Sequence, residues 1–277
     1  MRPLFAHRYN KVQLPMNSIP SEKTCSADMD LPLVILIQTG TPPVELREQH
    51  GDLPVWFYQA MGLKQEDIQV VKIYRGEKLP EPNPRRIAVI TGSWDMVTDK
   101  LPWSEYAAAW IRQAIAADMP MFGVCYGHQL MAYALGGTVD YHPLGREMGC
   151  LKISLTRAGT EDPLTGAFSQ EFSANLTHLQ TVTILPPGAK VLASSSHDAH
   201  QIIRYSTKAV STQFHPEVTP AIAATMIDLR SEALLNEGCN PDEMKKALTN
   251  AVEAKEILKA FVLAHTDEIA ASCLQKI

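Results

Sequence analysis

The pentapeptide Gly123-Val124-Cys125-Tyr126-Gly127 constrains the fold of this chain more than any other feature, because one cysteine sits where two structural periods meet. Before it, residues 119–124 (Met-Pro-Met-Phe-Gly-Val) form an apolar run, as expected of a short strand buried on both faces of a parallel sheet. After it, Leu130, Met131, Ala134 and Leu135 recur at helical spacing, and Gly136-Gly137 close the helix. A chain that turns from strand to helix over one residue crowds its backbone, and glycines on both sides relieve the crowding. The thiol then lies at a helix N-terminus, whose free N–H groups and dipole favour the thiolate. The amide of Tyr126 faces whatever Cys125 attacks and is half of an oxyanion hole. Most buried cysteines are inert packing residues. Placed between these glycines, Cys125 reads instead as a nucleophile.

The segments around this turn read as an α/β chain with a doubly wound, mostly parallel sheet and flanking helices. Residues 1–30 mix polar and isolated apolar residues without a period and are expected to be a poorly ordered tail. Strands are predicted at 31–38, 68–73 and 87–91, with a broken helix at 44–63 and a helix at 103–117. Beyond the cysteine helix come short β-like segments at 138–141, 150–155, 180–185, 190–194, 201–205 and 209–214. Two helices, at 220–236 and 241–265, complete the pattern. The expected organisation is a tail at 1–30, one domain at 31–235 and a helical extension of it at 236–277. That extension either caps the sheet or forms a homodimer or partner surface, and the cap is the better reading.

Composition narrows the function classes. The net charge of -5 and the absence of a basic stripe argue against nucleic acid as a partner. Cys25, Cys125, Cys150, Cys239 and Cys273 are odd in number and scattered, so reduced thiols in the cytoplasm are expected rather than disulfides or a zinc site. No stretch is apolar enough to span a bilayer, and no secretory leader is expected. No His/Asp/Glu group has the sequence spacing of metal ligands, so neither a metal nor another cofactor is expected.

A cysteine nucleophile needs a base, and the base works best when a third group fixes its tautomer. The segment 209–217 runs as a strand into His215-Pro216-Glu217. Residues two apart in an extended chain point the same way, so Glu217 can reach the imidazole of His215. Pro216 confines His215 to extended conformations. A strand-end histidine alone is more often structural, and a glutamate alone is usually solvated. Paired with the elbow cysteine, they read as base and orienter. The loop Gly92-Ser93 after the third strand lies where a doubly wound sheet gathers functional groups, and its amides are candidates for the other half of the oxyanion hole.

Together, Gly-Val-Cys125-Tyr-Gly-His-Gln and Phe-His215-Pro-Glu217 resemble the class I glutamine amidotransferase domain. The resemblance covers roughly 33–227 and looks closest to the amidotransferase domain of GMP synthase in free-standing form. Arg146-Glu-Met-Gly149 and Thr177-His178 are further similar marks. The resemblance implies a flavodoxin-like three-layer sandwich. It also implies a mechanism in which Cys125 attacks the side-chain amide of glutamine, His215 transfers protons, and Glu217 orients His215. Amides at Ser93 and Tyr126 would stabilise the oxyanion, typically by roughly 3 kcal/mol per donor. Gly92 and Gln129 fall at substrate-binding positions, although a polar helix residue such as Gln129 could equally face solvent. Two departures stand out: Gly92-Ser93 replaces a pair of glycines, and His178-Leu-Gln180 replaces His-Gly-Asp. The second departure bears on communication with a synthetase partner. No ATP-binding signature follows Glu217, so an ammonia acceptor would be a separate protein.

Three functions remain open at this level. The first is a glutamine amidotransferase or glutaminase. The second is a γ-glutamyl hydrolase cleaving another γ-glutamyl amide, because the motifs do not read what lies beyond the scissile bond. The third is a regulatory or binding relative with little turnover, against which the complete Cys, His and Glu set counts. His178 and His197 read as structural or loop histidines.

Overall fold

A computed structural model describes residues 32–274, so the expectation of a disordered tail at 1–30 lies outside the described residues. In chain order the elements begin with β1 (Val34–Gln38), α1 (Val44–His50), α2 (Leu53–Met61), β2 (Ile68–Lys72), β3 (Ile87–Ile90), α3 (Pro102–Ala116), β4 (Met121–Val124) and α4 (Tyr126–Ala134). The middle of the chain supplies β5 (Thr138–Tyr141), β6 (Glu147–Leu155), α5 (Arg157–Thr160), β7 (Glu171–His178), β8 (Gln180–Ile184), β9 (Lys190–Ser194), β10 (Ile202–Ser206) and β11 (Ala209–Thr212). Last come α6 (Pro220–Leu229), α7 (Ser231–Asn236), α8 (Pro241–Lys246) and α9 (Val252–Leu274).

Nine strands form one mixed sheet in the order β2-β1-β3-β4-β11-β10-β9-β6-β7, and β5 pairs with β8 in a small second sheet. From β2 to β11 all pairs are parallel; from β11 to β7 all are antiparallel. The parallel half carries both covering layers. On one face Val34, Leu36, Val89 and Phe122 meet Phe57 of α2 and Leu258 and Phe261 of α9. On the other, Ile35, Ile37 and Met121 meet Ile111 of α3 and Leu130 of α4. Strands buried on both faces explain the continuous apolar runs in the sequence.

The break anticipated within 44–63 has a local cause. Gly51 ends α1 at φ 80°, and the Asp52 side chain accepts from the Leu53 N–H at 2.8 Å to cap α2. The two long C-terminal helices expected from the sequence are instead four. The first is interrupted at Arg230 (φ -113°, ψ 11°), whose N–H turns back to the Ile227 carbonyl at 3.1 Å. The second is interrupted before Ala251, which adopts φ 43°. Helix α9 packs along the sheet, with Phe261 edge-on to Phe122 at 5.3 Å. Strand β7 has no counterpart among the segments expected from the sequence, and Thr177-His178 forms its end. Its alternation is visible once the strand is known: Phe172, Ala174 and Leu176 are buried on the β6-paired strand.

Candidate active site

Cys125 follows β4 directly and caps α4 with φ 50° and ψ -99°, a conformation uncommon outside glycine. Its N–H donates to the Thr212 carbonyl of β11 at 2.8 Å, and its carbonyl accepts from the Gln129 N–H at 3.0 Å, so the strained residue is held from both sides. The flanking glycines are required by close approach. A Cβ on Gly123 would stand 2.6 Å from the Gly127 carbonyl oxygen, and one on Gly127 would stand 2.6 Å from that of Ile90. Backbone therefore touches backbone where strand and helix meet.

The second component comes from β11, the neighbour of β4. His215 lies just past its end, and its N–H donates to the Asn175 carbonyl of β7 at 2.9 Å. The Asn175 side-chain amide in turn donates to the Val218 carbonyl at 2.9 Å, fixing the His215-Pro216-Glu217 turn. His215 Nδ1 lies 2.8 Å from Glu217 Oε1, and both residues are buried. That pairing leaves Nε2 buried without a hydrogen-bond partner. Burial by itself would press the imidazole pKa down. The Glu217 carboxylate, with its hydrogen bond, and the charge of the adjoining Cys125 outweigh burial and hold it well above the usual histidine value. The thiol itself points toward the Thr177 carbonyl, 3.9 Å from Sγ.

The loop after β3 closes the third side. A Cβ on Gly92 would lie 3.2 Å from His215 Cε1 and 3.7 Å from Cys125 Cβ, so the backbone runs against both side chains. Thr39 Oγ1 donates to the Gly92 carbonyl at 2.7 Å, and Ser93 Oγ donates to the Thr39 carbonyl at 2.9 Å, tying the ends of β1 and β3 together. These are neighbouring strands between which the winding of the sheet reverses, the place where such folds form crevices. Tyr126 opens α4 with its hydroxyl 2.7 Å from Ser104 Oγ.

Gln129 is buried rather than solvent-facing, and its amide donates to the Gln180 carbonyl at 2.7 Å and to Gln213 Oε1 at 2.9 Å. Gln129, Cys125, Tyr126 and Gln180 line an open cavity. A second, smaller cavity adjoins it on the imidazole side, lined by Trp56, Gly92, His215 and Glu217. Arg230 borders both and Arg146 the first, which sequence reasoning did not anticipate for Arg230. No periodic or motif signal marks that arginine.

The remaining histidines are structural in their contacts. His178 bonds Glu147 Oε2 through Nε2 at 2.9 Å and the Gln180 carbonyl through Nδ1 at 2.9 Å; His197 stacks on His142 at 4.2 Å. Glu147, His178 and Asp198 place ligand-type atoms within 4.8 Å of one another, a grouping that sequence spacing could not disclose. Donors already crowd those carboxylates: Ser195 Oγ at 2.5 Å and Gln201 Nε2 at 2.7 Å on Glu147, and Thr181 Oγ1 at 2.5 Å on Asp198. The group is a hydrogen-bonded network that braces β6, β7 and the loop before β10.

Residues 59–228 match the family Glutamine amidotransferase class-I. A glutamine amidotransferase-like protein of Schizosaccharomyces pombe is 25% identical over 77% of this chain and 91% of its own length. One of the subunits of the glutamine-hydrolyzing GMP synthase of Saccharolobus solfataricus is 40% identical over 36% of this chain and 52% of its own length. The GMP synthase of Desulfotalea psychrophila is 32% identical over 54% of this chain, which spans only 28% of that longer protein. Among solved structures, a glutamine amidotransferase from Thermotoga maritima superposes with a TM-score of 0.67 at 21% identity, covering 86% of this chain and 99% of that one.

Proposed function

The chain belongs to the class I glutamine amidotransferase family, and from that premise we propose that it hydrolyses the side-chain amide of glutamine through a thioester on Cys125. One observation carries the reading. The buried imidazole of His215 has Nδ1 committed to Glu217 at 2.8 Å, leaving Nε2 without a partner beside a thiol held at φ 50° on a helix N-terminus.

Cys125 sulfur attacks the amide carbon, and the carbonyl oxygen becomes an oxyanion facing the backbone N–H groups of Ser93 and Tyr126. The first N–H groups of a helix have no partner within it, which suits Tyr126 to this role. Nε2 of His215 then gives its proton to the departing nitrogen, the C–N bond breaks, and ammonia leaves a γ-glutamyl thioester. Water attacks the thioester as His215 takes a proton back, and glutamate is released. Glu217 holds the imidazole tautomer and balances its charge. Gly92 shapes the loop against the imidazole, and Gln129 helps hold the amino-acid end of the substrate.

Residues 31–235 act as the amidotransferase domain, with 236–277 an extension of it. The ammonia passes to a separate acceptor protein, a reading supported by the GMP synthase relative that is itself one subunit of its enzyme. Among the described residues no helix is long and apolar enough to cross a membrane. Purified protein incubated with glutamine should release ammonia and glutamate in equal amounts, and Cys125→Ser should abolish that release. Glutamine turnover that persists in the Cys125→Ser protein would refute the mechanism.

A further inference from the structure

Arg230 occupies the break between α6 and α7, and its half-buried side chain borders both cavities that meet at Cys125. No hydrogen bond or ion pair reaches its guanidinium among the described residues. Burial first, then the neighbouring Arg146, press its pKa below the ordinary arginine value, while the charge of Cys125 acts the other way. A guanidinium does not give up its proton in a protein, so this one stays charged and partly desolvated. Arg146 is already held by Glu237 at 3.1 Å. Asp95, which also borders the larger cavity, has Oδ2 3.2 Å from Ser93 Oγ and shows no bond to either arginine. The wall beside the nucleophile thus carries a positive charge that no hydrogen bond or ion pair from the described residues neutralises.

The position of that charge matters. Gln129 and Tyr126 line the larger cavity, which places the γ-glutamyl part there, whereas His215, the proton donor to the leaving nitrogen, lines the smaller one, toward which that nitrogen departs. Arg230 spans the seam between them. Ammonia has no use for a cation there, but an amino acid attached through its nitrogen presents a carboxylate at that point.

We propose that the site also takes γ-glutamyl amino acids and short γ-glutamyl peptides, with Arg230 receiving the carboxylate of the leaving amino acid. This rests on the cysteine mechanism proposed above. The γ-glutamyl carbon–nitrogen bond breaks as the carbon–sulfur bond to Cys125 forms, and the His215 proton goes to the leaving amine. Water then releases glutamate, so γ-glutamylglycine and one water yield glutamate and glycine.

The test compares γ-glutamylglycine, its neutral glycinamide counterpart and glutamine on the wild-type, Arg230→Gln and Arg230→Lys proteins. A charge-assisted carboxylate contact should give the wild-type protein at least about a tenfold kcat/KM preference for the acid over the amide. Arg230→Gln should bring that ratio to about one, and Arg230→Lys should keep part of it. Equal use of acid and amide by the wild-type protein would overturn the inference. So would a loss in Arg230→Gln that is the same for all three substrates, which marks Arg230 as structural or as a partner of the α-carboxylate. Cys125-dependent glutamine turnover without the ratio removes this inference alone. If no compound is turned over, the proposed hydrolysis fails, and the acid-to-amide ratio is read instead from dissociation constants by calorimetry.

Discussion

Replacing Gly127 with alanine separates the positioning of the nucleophile from the stability of the fold. The new Cβ would lie 2.6 Å from the Ile90 carbonyl oxygen and 2.9 Å from Ile90 Cβ, against 3.4 Å for the start of ordinary contact. Neither neighbour can swing away, because Ile90 is in the central strand β3 and is fully buried. Helix α4 must therefore retreat from β3 by most of an ångström, lengthening the 3.2 Å bond from the Gly127 N–H to the Thr91 carbonyl and carrying the Tyr126 amide with it. Overpacking of this kind costs about 1–3 kcal/mol. At about 2–4 °C per kcal/mol for a chain of this size, the melting temperature should fall by about 2–12 °C. A displacement near 1 Å at a reacting centre should lower kcat for glutamine by about 100-fold. Calorimetric unfolding and ammonia release, measured on one preparation, give both numbers. Gly188→Ala is the control: Gly188 has φ 81° with nothing within 4 Å of a new Cβ, so it should lose about 1 kcal/mol and no activity. Glutamine turnover within twofold of wild type in Gly127→Ala, at a lowered melting temperature, would refute the claim that this contact places the nucleophile.

Two further outcomes follow from the buried titrating groups. Glu217→Gln removes the charge that raises the His215 pKa against burial, so the alkaline limb of the pH–rate profile should move to lower pH while kcat falls by about 100-fold or more; an unmoved limb would exclude Glu217 as the orienting partner. His128 is buried with Nδ1 2.8 Å from Ser211 Oγ, and burial, opposed by Asp198 and aided by His200 and His178, takes its pKa down to about 3. A depressed histidine binds its proton more readily in the unfolded chain, so stability is full above about pH 6.5 and falls with acid at up to about 1.4 kcal/mol per pH unit. Urea midpoints between pH 7 and 5 should show that slope, and His128→Gln should flatten it.

Local rules make much of this molecule readable without coordinates. The short apolar runs ahead of Gly40, Gly92 and Cys125 are β1, β3 and β4, because a strand buried on both faces has no polar alternation to obscure it. The boundaries move where caps and single residues decide, as at Gly51 and Arg230. Strand β7 escapes a sequence reading because Ala174 and Asn175 at its centre have weak strand propensity, so its alternation of Phe172, Ala174 and Leu176 with polar residues is short and faint.

The elbow glycines, the cysteine between them and the His-Pro-Glu turn belong to the sequence alone, since each is dictated by backbone crowding or by the two-residue period of an extended chain. Their meeting does not. Parallel pairing of β4 with β11 sets Cys125 beside His215, and the β1–β3 junction brings Gly92 against both. The same folding gathers Glu147, His178 and Asp198 from three separate segments and leaves Arg230 beside the nucleophile with no side-chain partner among the described residues. Such proximities depend on strand order and helix breaks that form only as the layers pack, so no local pattern encodes them.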